Sequence, residues 1–447
     1  MKVYYIGTDV HSGSTTFYCG DDKGKLVARG TIPTNPEGVE QMLRRIQKKV
    51  PEGTDYRLTA GMETGNSSFR LAKIFSLAGI EVHVIHAKEV RDKVRDKKKK
   101  TDNLDAKEIY EGMRRQYYYK EVYIPTDAEL KIRWLYSKRV LAMKTRTSYI
   151  LSAKGTLRSW GFVEYTKRKL ESKNSWNKLL KELESMSESE QDKLIGWQFE
   201  EGIGEDLIEA VKNDYEMWKH ADKLITDYER KIEEASKGLD KSIMKSIENV
   251  DDIFGIGRLS AVMLAVLIGD PHRFQKSNQL KSYFGLAPSE NSSGGKVSRG
   301  KITKTGNGVG RKILVEIAQQ ATRSQHPLYP LFWQIRSKKP YNVAIAAVAG
   351  KLIQIVWRIL RDGTSFDISR LGVCMVKVPS KTSTGRATTK ITAVKKKRLP
   401  KFLAEHNLDE DAVIEIVDKE LERRREKKTI SDLSMIEGLS EPPRKKG

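Results

Sequence analysis

The chain has 447 residues, of which 82 are Lys or Arg and 59 are Asp or Glu, for a formal net charge of +23. Such an excess points to a polyanionic partner, nucleic acid first, with an anionic membrane surface as the alternative. No signal-peptide core or apolar run of about 18 residues stands out, which argues against a membrane, and two distant cysteines, Cys19 and Cys374, argue for a reducing cytoplasm and against disulfides or zinc.

The first hundred residues alternate between strand and helix signals. "VYYIGTDV" predicts a strand ending on Asp9, and "TTFYCG" and "KLVARGTI" around the turn "DDKG" predict a hairpin. "PEGVEQMLRRIQKKV" has helical periodicity, and "YRLTAGMETG" is a strand ending near Glu63, with a helix to follow around "SSFRLAKIFSLAG". "EVHVIHA" is a further strand. "TDNLDAKEIYEGMRR" opens on Thr and Asp as a helix does, with Asp102 and Asp105 three apart on one face.

Neighbouring parallel strands end at one sheet edge, where ligands of α/β folds gather. Asp9, Glu63, Asp102 and Asp105 would repel one another there unless a hard cation sat between them, and oxygen-only ligation suits Mg²⁺ or Mn²⁺. Directly before the helix stand Lys97, Lys98, Lys99 and Lys100. Beside such a metal they would hold a phosphodiester backbone. The plainer alternative makes Asp102 a helix N-cap, Asp105 a partner of the helix dipole and the lysines a solvated loop.

"YIGTDVH", "METG" and "KTDNLDAKEI" resemble the N-terminal block of the DEDD transposases of bacterial and archaeal insertion sequences. The resemblance implies a RuvC-like (RNase H-like) α/β domain over residues 1–125 whose four acidic residues fall on Asp9, Glu63, Asp102 and Asp105. It also implies DNA, donor and target, as substrate. Some members of that family are guided by a bridge RNA, so an RNA partner is expected too.

Residues 126–249 read as helical and basic. Ile208, Val211, Tyr215, Trp218, Ala221, Ile225, Tyr228, Ile232 and Ala235 step by three and four, an a/d seam for either a coiled coil or a hairpin within one chain. The resemblance favours a dimerising coiled coil, hence a homodimer or homotetramer. The charged stretch near 165–205 departs from the family pattern and reads as an insertion.

The third region, residues 250–370, opens with "DDIFGIGRLSAVMLAVLIGD", which has the look of a helix-hairpin-helix. Gly255 and Gly257 permit a tight turn whose N–H groups face a phosphate; a plain helical packing element is the alternative. "YFGLAPSENSSGGKVSRGKITKTGNGVGRKIL" suits a mobile loop close to a nucleic-acid backbone, with Lys296, Arg299, Lys301, Lys304 and Arg311 as candidate contacts. Its G-L-x-P, S-G and basic elements resemble the mostly α C-terminal domain of the same family. There the serine just before the glycine is the nucleophile, which implies Ser293, with the adjacent Ser292 as runner-up. The family pattern pairs the carboxylates of one subunit with the serine of another. His272 and His326 read as structural or surface residues rather than as activators of that serine.

Residues 371–447 read as a flexible basic tail with one charged helix. Two other function classes stay open: a RuvC-type nuclease that delivers water with the same carboxylates, and a non-catalytic nucleic-acid-binding protein.

Overall fold

The computed structural model describes residues 1–65, 67–87, 89–90, 101–117, 121–167, 169–185, 203–293, 296–381 and 387–414. It divides into two compact units, Met1–Thr126 and Asp127–Gly447.

The first unit is built on a mixed five-stranded sheet. Its strands are β1 (Lys2–Val10), β2 (Ser14–Asp21), β3 (Leu26–Pro33), β4 (Tyr56–Glu63) and β5 (Glu81–Ile85), in the order β3-β2-β1-β4-β5. The pairings β1–β2 and β2–β3 are antiparallel, and β1–β4 and β4–β5 are parallel. Side chains alternate along each strand. Tyr4, Ile6, Ala60 and Met62 therefore share one face, buried with helices α1 (Pro36–Gln47) and α2 (Ser68–Leu77). Asn35 caps α1 by accepting from the Gly38 N–H at 2.8 Å, and Val39, Met42 and Ile46 form its buried stripe.

The opposite face carries α3 (Asp102–Arg114), and here the sheet has glycine where it would otherwise have side chains. Gly7 of β1 is the register partner of Gly61 of β4. A Cβ on Gly7 would lie 2.0 Å from the Ala106 carbonyl oxygen and 2.3 Å from the Tyr110 nitrogen, so helix backbone rests directly on strand backbone. At Gly61 the intruder would meet Met113 Cγ at 2.6 Å.

The second unit begins with two long antiparallel helices, α4 (Asp127–Ser159) and α6 (Ile203–Ser236), joined across by Arg139–Glu229 and Arg146–Asp222 ion pairs, each at 2.6 Å. Val211, Tyr215, Trp218, Ala221, Ile225 and Ile232 of the a/d seam are buried within this one chain. These buried side chains pack against α4 and its neighbours, as the hairpin alternative has it. The expected insertion is partly core. In α5 (Lys173–Glu184), Trp176 stacks on Tyr215 at 5.4 Å and Leu179 and Leu183 are buried.

The main core of this unit surrounds α7 (Lys241–Asp251), α8 (Arg258–Ile268), α9 (Ser277–Tyr283), α10 (Gly308–Gln319), α11 (Tyr329–Arg336) and α12 (Tyr341–Asp362). Helix α12 is long and apolar enough to cross a bilayer, a property the sequence hides because Lys351 and Arg358 interrupt the run. Ten of its residues, Ala344 to Ile359, are buried against the surrounding helices, as in the central helix of a packed domain. The stretch expected to be a mobile loop is a two-stranded hairpin, β6 (Pro288–Ser293) and β7 (Lys296–Ile302).

The expected tail is folded as far as residue 414. Strands β8 (Val373–Lys381), β9 (Ala387–Lys395) and β10 (Val413–Ile414) form a sheet in the order β10-β8-β9. Val373, Met375 and Ala393 pack on Tyr329, Ile368 and Leu371 from one side, while α13 (Leu399–Glu405) covers Val376 and Val394 from the other. The backbone carbonyl of Ser324 accepts from the Ala393 N–H at 2.8 Å, tying the sheet to the preceding helices. In the sequence, the surrounding Lys and Thr obscure the alternating Val, Met and Ala. The charged helix expected beyond residue 414 lies outside the described residues.

Because nothing but hydrogen fits at position 7, Gly7→Ala is expected to cost about 1–3 kcal/mol of stability, as overpacking does. Urea denaturation checks this, with Gly13→Ala, where a Cβ meets nothing within 4 Å, as the control.

Candidate metal centre and serine hairpin

The β1–β4 register pairs Thr8 with Met62, which puts Asp9 and Glu63 side by side at the carboxyl ends of two parallel strands. Period-two alternation turns both toward the face that α3 covers. The helix starts beside this edge. Its N-cap is Thr101, whose hydroxyl accepts from the Leu104 N–H at 3.4 Å, so Asp102 is not consumed as a cap. The plainer alternative for Asp102 fails on that hydrogen bond. Asp102 is exposed, while Asp9, Glu63 and Asp105 are half-buried.

His11 joins the cluster without having been expected there, although it stands two residues after Asp9. Its Nε2 lies 3.4 Å from Asp9 Oδ2 and 3.7 Å from Asp102 Oδ2. The ligand atoms of Asp9, His11 and Asp102 all lie within 4.8 Å of one another. The signal for His11 is visible only after the chain turns at Gly13 and α3 arrives from residue 102, far along the sequence. The Asp9 carboxyl is held above its ordinary range, first by burial and then by Asp102 and Asp105, with His11 opposing the rise. Asp105 thus belongs to the same electrostatic cluster. Carboxylate oxygens crowded this closely, with one imidazole nitrogen at the lip, fit a divalent cation.

The second unit holds the serine element. Ser293 is the last residue of β6 and pairs with Lys296, and Ser292 pairs with Val297 one step back. Both serines therefore sit at the tip of a hairpin. Lys301 and Lys304 are exposed on the same hairpin and its exit, and Lys304 adopts a left-handed φ of 55°. Arg311 is taken up by the fold instead: its Nη1 donates to the Phe284 carbonyl at 3.0 Å. The side chains of Lys296 and Arg299, and all of Lys97 to Lys100, lie outside the described residues.

Gly255 has a φ of 87°, as a tight turn requires, and Gly257 is the N-cap of α8 with no side chain closing it. A tight turn therefore joins α7 to α8, as both the helix-hairpin-helix and the plain packing element require. His326 is structural, as expected. It is 1% exposed, its Nδ1 accepts from the Leu328 N–H at 3.0 Å, and burial lowers its pKa to about 4.

A sheet-edge carboxylate cluster in one unit and a hairpin tipped by serine in the other are the candidate elements of the chain's chemistry. Two family models match the chain. A DEDD-type model described as a transposase covers residues 6–160, and a model described as the IS116/IS110/IS902 transposase family covers residues 247–334, together more than half of the chain. The chain belongs to this transposase family. The transposase for insertion sequence element IS1111A of Coxiella burnetii is 25% identical over 71% of this chain and 82% of its own length. A transposase of Sinorhizobium fredii is 30% identical over 36% of this chain, a match that spans less than half, 46%, of that relative. The pilin gene-inverting protein of Moraxella lacunata is 30% identical over 25% of this chain and 36% of its own length.

Since Asp9 ionises at a cost to the fold, Asp9→Asn should raise the melting temperature in EDTA by roughly 1–3 °C at neutral pH. The gain should shrink as pH falls through the Asp9 titration, because protonation removes the same repulsion from the parent protein. The same substitution should abolish Mn²⁺ binding in a calorimeter.

Proposed function

We propose that the protein is a DNA recombinase of an insertion sequence that cuts and rejoins strands through a serine nucleophile. The observation that carries this reading is the convergence of Asp9, Asp102 and Asp105 at the β1 edge, in a chain whose other family-matched block bears a serine-tipped hairpin. The strand order β3-β2-β1-β4-β5 supports a RuvC-like (RNase H-like) reading of the first unit.

Asp9, Glu63, Asp102 and Asp105 would hold the cation, with His11 at its rim. A bound Mg²⁺ or Mn²⁺ supplies Lewis-acid polarisation of a phosphoryl oxygen and offsets the charge that builds in the transition state. The Ser293 hydroxyl gives up its proton and its oxygen bonds to phosphorus. The bond from phosphorus to the 3′ oxygen breaks, and that oxygen takes up a proton as a free 3′-hydroxyl. The phosphoserine link conserves the phosphodiester energy, so strands can be exchanged and resealed without an external energy source. Lys301, Lys304 and the lysines at 97–100 are assigned to the DNA backbone, and Gly255 and Gly257 to a phosphate at the α8 turn. Donor and target DNA, a structured RNA of the same element, and a second or fourth copy of the chain are the partners, in a cytoplasmic setting.

A denaturing gel on the element's flanking DNA tests the chemistry. Asp102→Asn should abolish cleavage with binding retained, and Ser293→Ala should remove the covalent adduct and strand exchange. An adduct that survives Ser293→Ala and disappears with Ser292→Ala moves the nucleophile by one residue. Free cut ends without any adduct would replace the recombinase by a water-using nuclease. Replacing Lys97 to Lys100 by Gln should flatten the slope of log K against log salt by about 0.9 for each duplex phosphate no longer neutralised.

A further inference from the structure

Between Glu316 and Asp362 the chain has no acidic residue but seven Lys or Arg. In the middle of this stretch, where α11 gives way to α12 through "SKKP", two aromatic rings face outward. Trp333 is 49% exposed and Tyr341 is 42% exposed. Both stand edge-on against Phe332, which is 2% exposed, with ring centroids 5.6 Å and 5.8 Å away. Tyr329 braces Trp333 from a further side at 6.1 Å. The rings are thus fixed in orientation while their outer surfaces stay open.

Cations surround them. Arg336, Lys338 and Lys339 are exposed, and among the described residues none is paired with a carboxylate. The Arg336 guanidinium closes the turn on the Lys339 carbonyl. From the C-terminal sheet, Lys395 donates to Gln334, the neighbour of Trp333, and brings the exposed Lys396, Lys397 and Arg398 with it. Burial first, and then the charges of Lys397 and Arg398, lower the Lys395 pKa.

A single exposed aromatic is ordinary on a protein surface. Two braced rings inside a field of free cations are what an unpaired strand requires: bases stack on the rings and phosphates lie on the cations. A duplex would satisfy the cations alone, since its base faces are already stacked. We propose that Trp333 and Tyr341, with Arg336, Lys338 and Lys339, form a stacking platform for an unpaired nucleic-acid strand. The proposal rests on the chain's being a nucleic-acid enzyme and adds to the chemistry above a place where a single strand is held.

Binding of fluorescent oligo(dT), oligo(U) and a blunt duplex of equal length by the full chain, in EDTA so that nothing is cut, tests it. Trp333→Ala and Tyr341→Ala should each weaken single-strand binding roughly 10-fold, with duplex affinity changed less than about twofold. Trp333→Phe should keep most of the affinity. Lys338→Gln with Lys339→Gln, at fully surface positions, should flatten the single-strand salt slope by about 0.7 for each phosphate no longer neutralised. Loss confined to oligo(dT) assigns the platform to displaced DNA, and loss confined to oligo(U) assigns it to RNA. Unchanged single-strand binding in both alanine variants, or equal losses on duplex and single strand, would overturn the platform. Because no metal or serine chemistry enters this assay, a failure of the proposed cleavage leaves its outcome untouched.

Discussion

The first unit depends on backbone touching backbone at Gly7. Helices packed through their side chains stand about 8–10 Å apart. With glycine at the register-paired positions 7 and 61, α3 drops onto the strands, and its first turn comes level with the end of β1. That approach brings Asp102 and Asp105 close enough to Asp9 to raise its pKa and sets His11 between two carboxylates. The repulsion stored in the cluster is offset elsewhere, by the apolar face that Ile6, Phe17, Met42, Met62 and Phe75 fill on the other side of the sheet.

The second unit is organised on the opposite logic. Its reactive candidate sits at the tip of a two-stranded hairpin, anchored by the buried Phe284 and Leu286 on one side and the capped helix α10 on the other. Asn307 caps α10 by accepting from the Gly310 N–H, and Arg311 ties the hairpin's two ends to the Phe284 carbonyl. Order at this site is therefore built in at the base of the hairpin.

Much of this was legible in the sequence, and the misses have physical causes. The four acidic residues could be read because each ends a strand or opens a helix, positions set by short-range patterns. His11 could not, since its partner Asp102 is supplied by long-range packing. The a/d seam was visible as a period, but a period does not say whether the facing helix belongs to the same chain. The cross-pairs Arg139–Glu229 and Arg146–Asp222, with the buried seam, show a facing helix of the same chain. The hairpin at Ser293 hid behind Gly and Ser, which weaken the strand signal, and the C-terminal sheet hid behind Lys and Thr that happen to alternate with its buried Val and Met.

The docking of that last sheet bears on how the molecule can be shortened. Composition invites a cut near residue 370, where the basic stretch begins. Yet Ser324, inside the family-matched block, is hydrogen-bonded through its carbonyl to the Ala393 N–H, and Tyr329, which braces Trp333, packs with Val373 and Met375. A chain ended there would leave an uncovered apolar strip at Tyr329, on the very element that presents the exposed rings, the kind of patch through which chains associate. A shortened version of this chain has to keep residues 373–414.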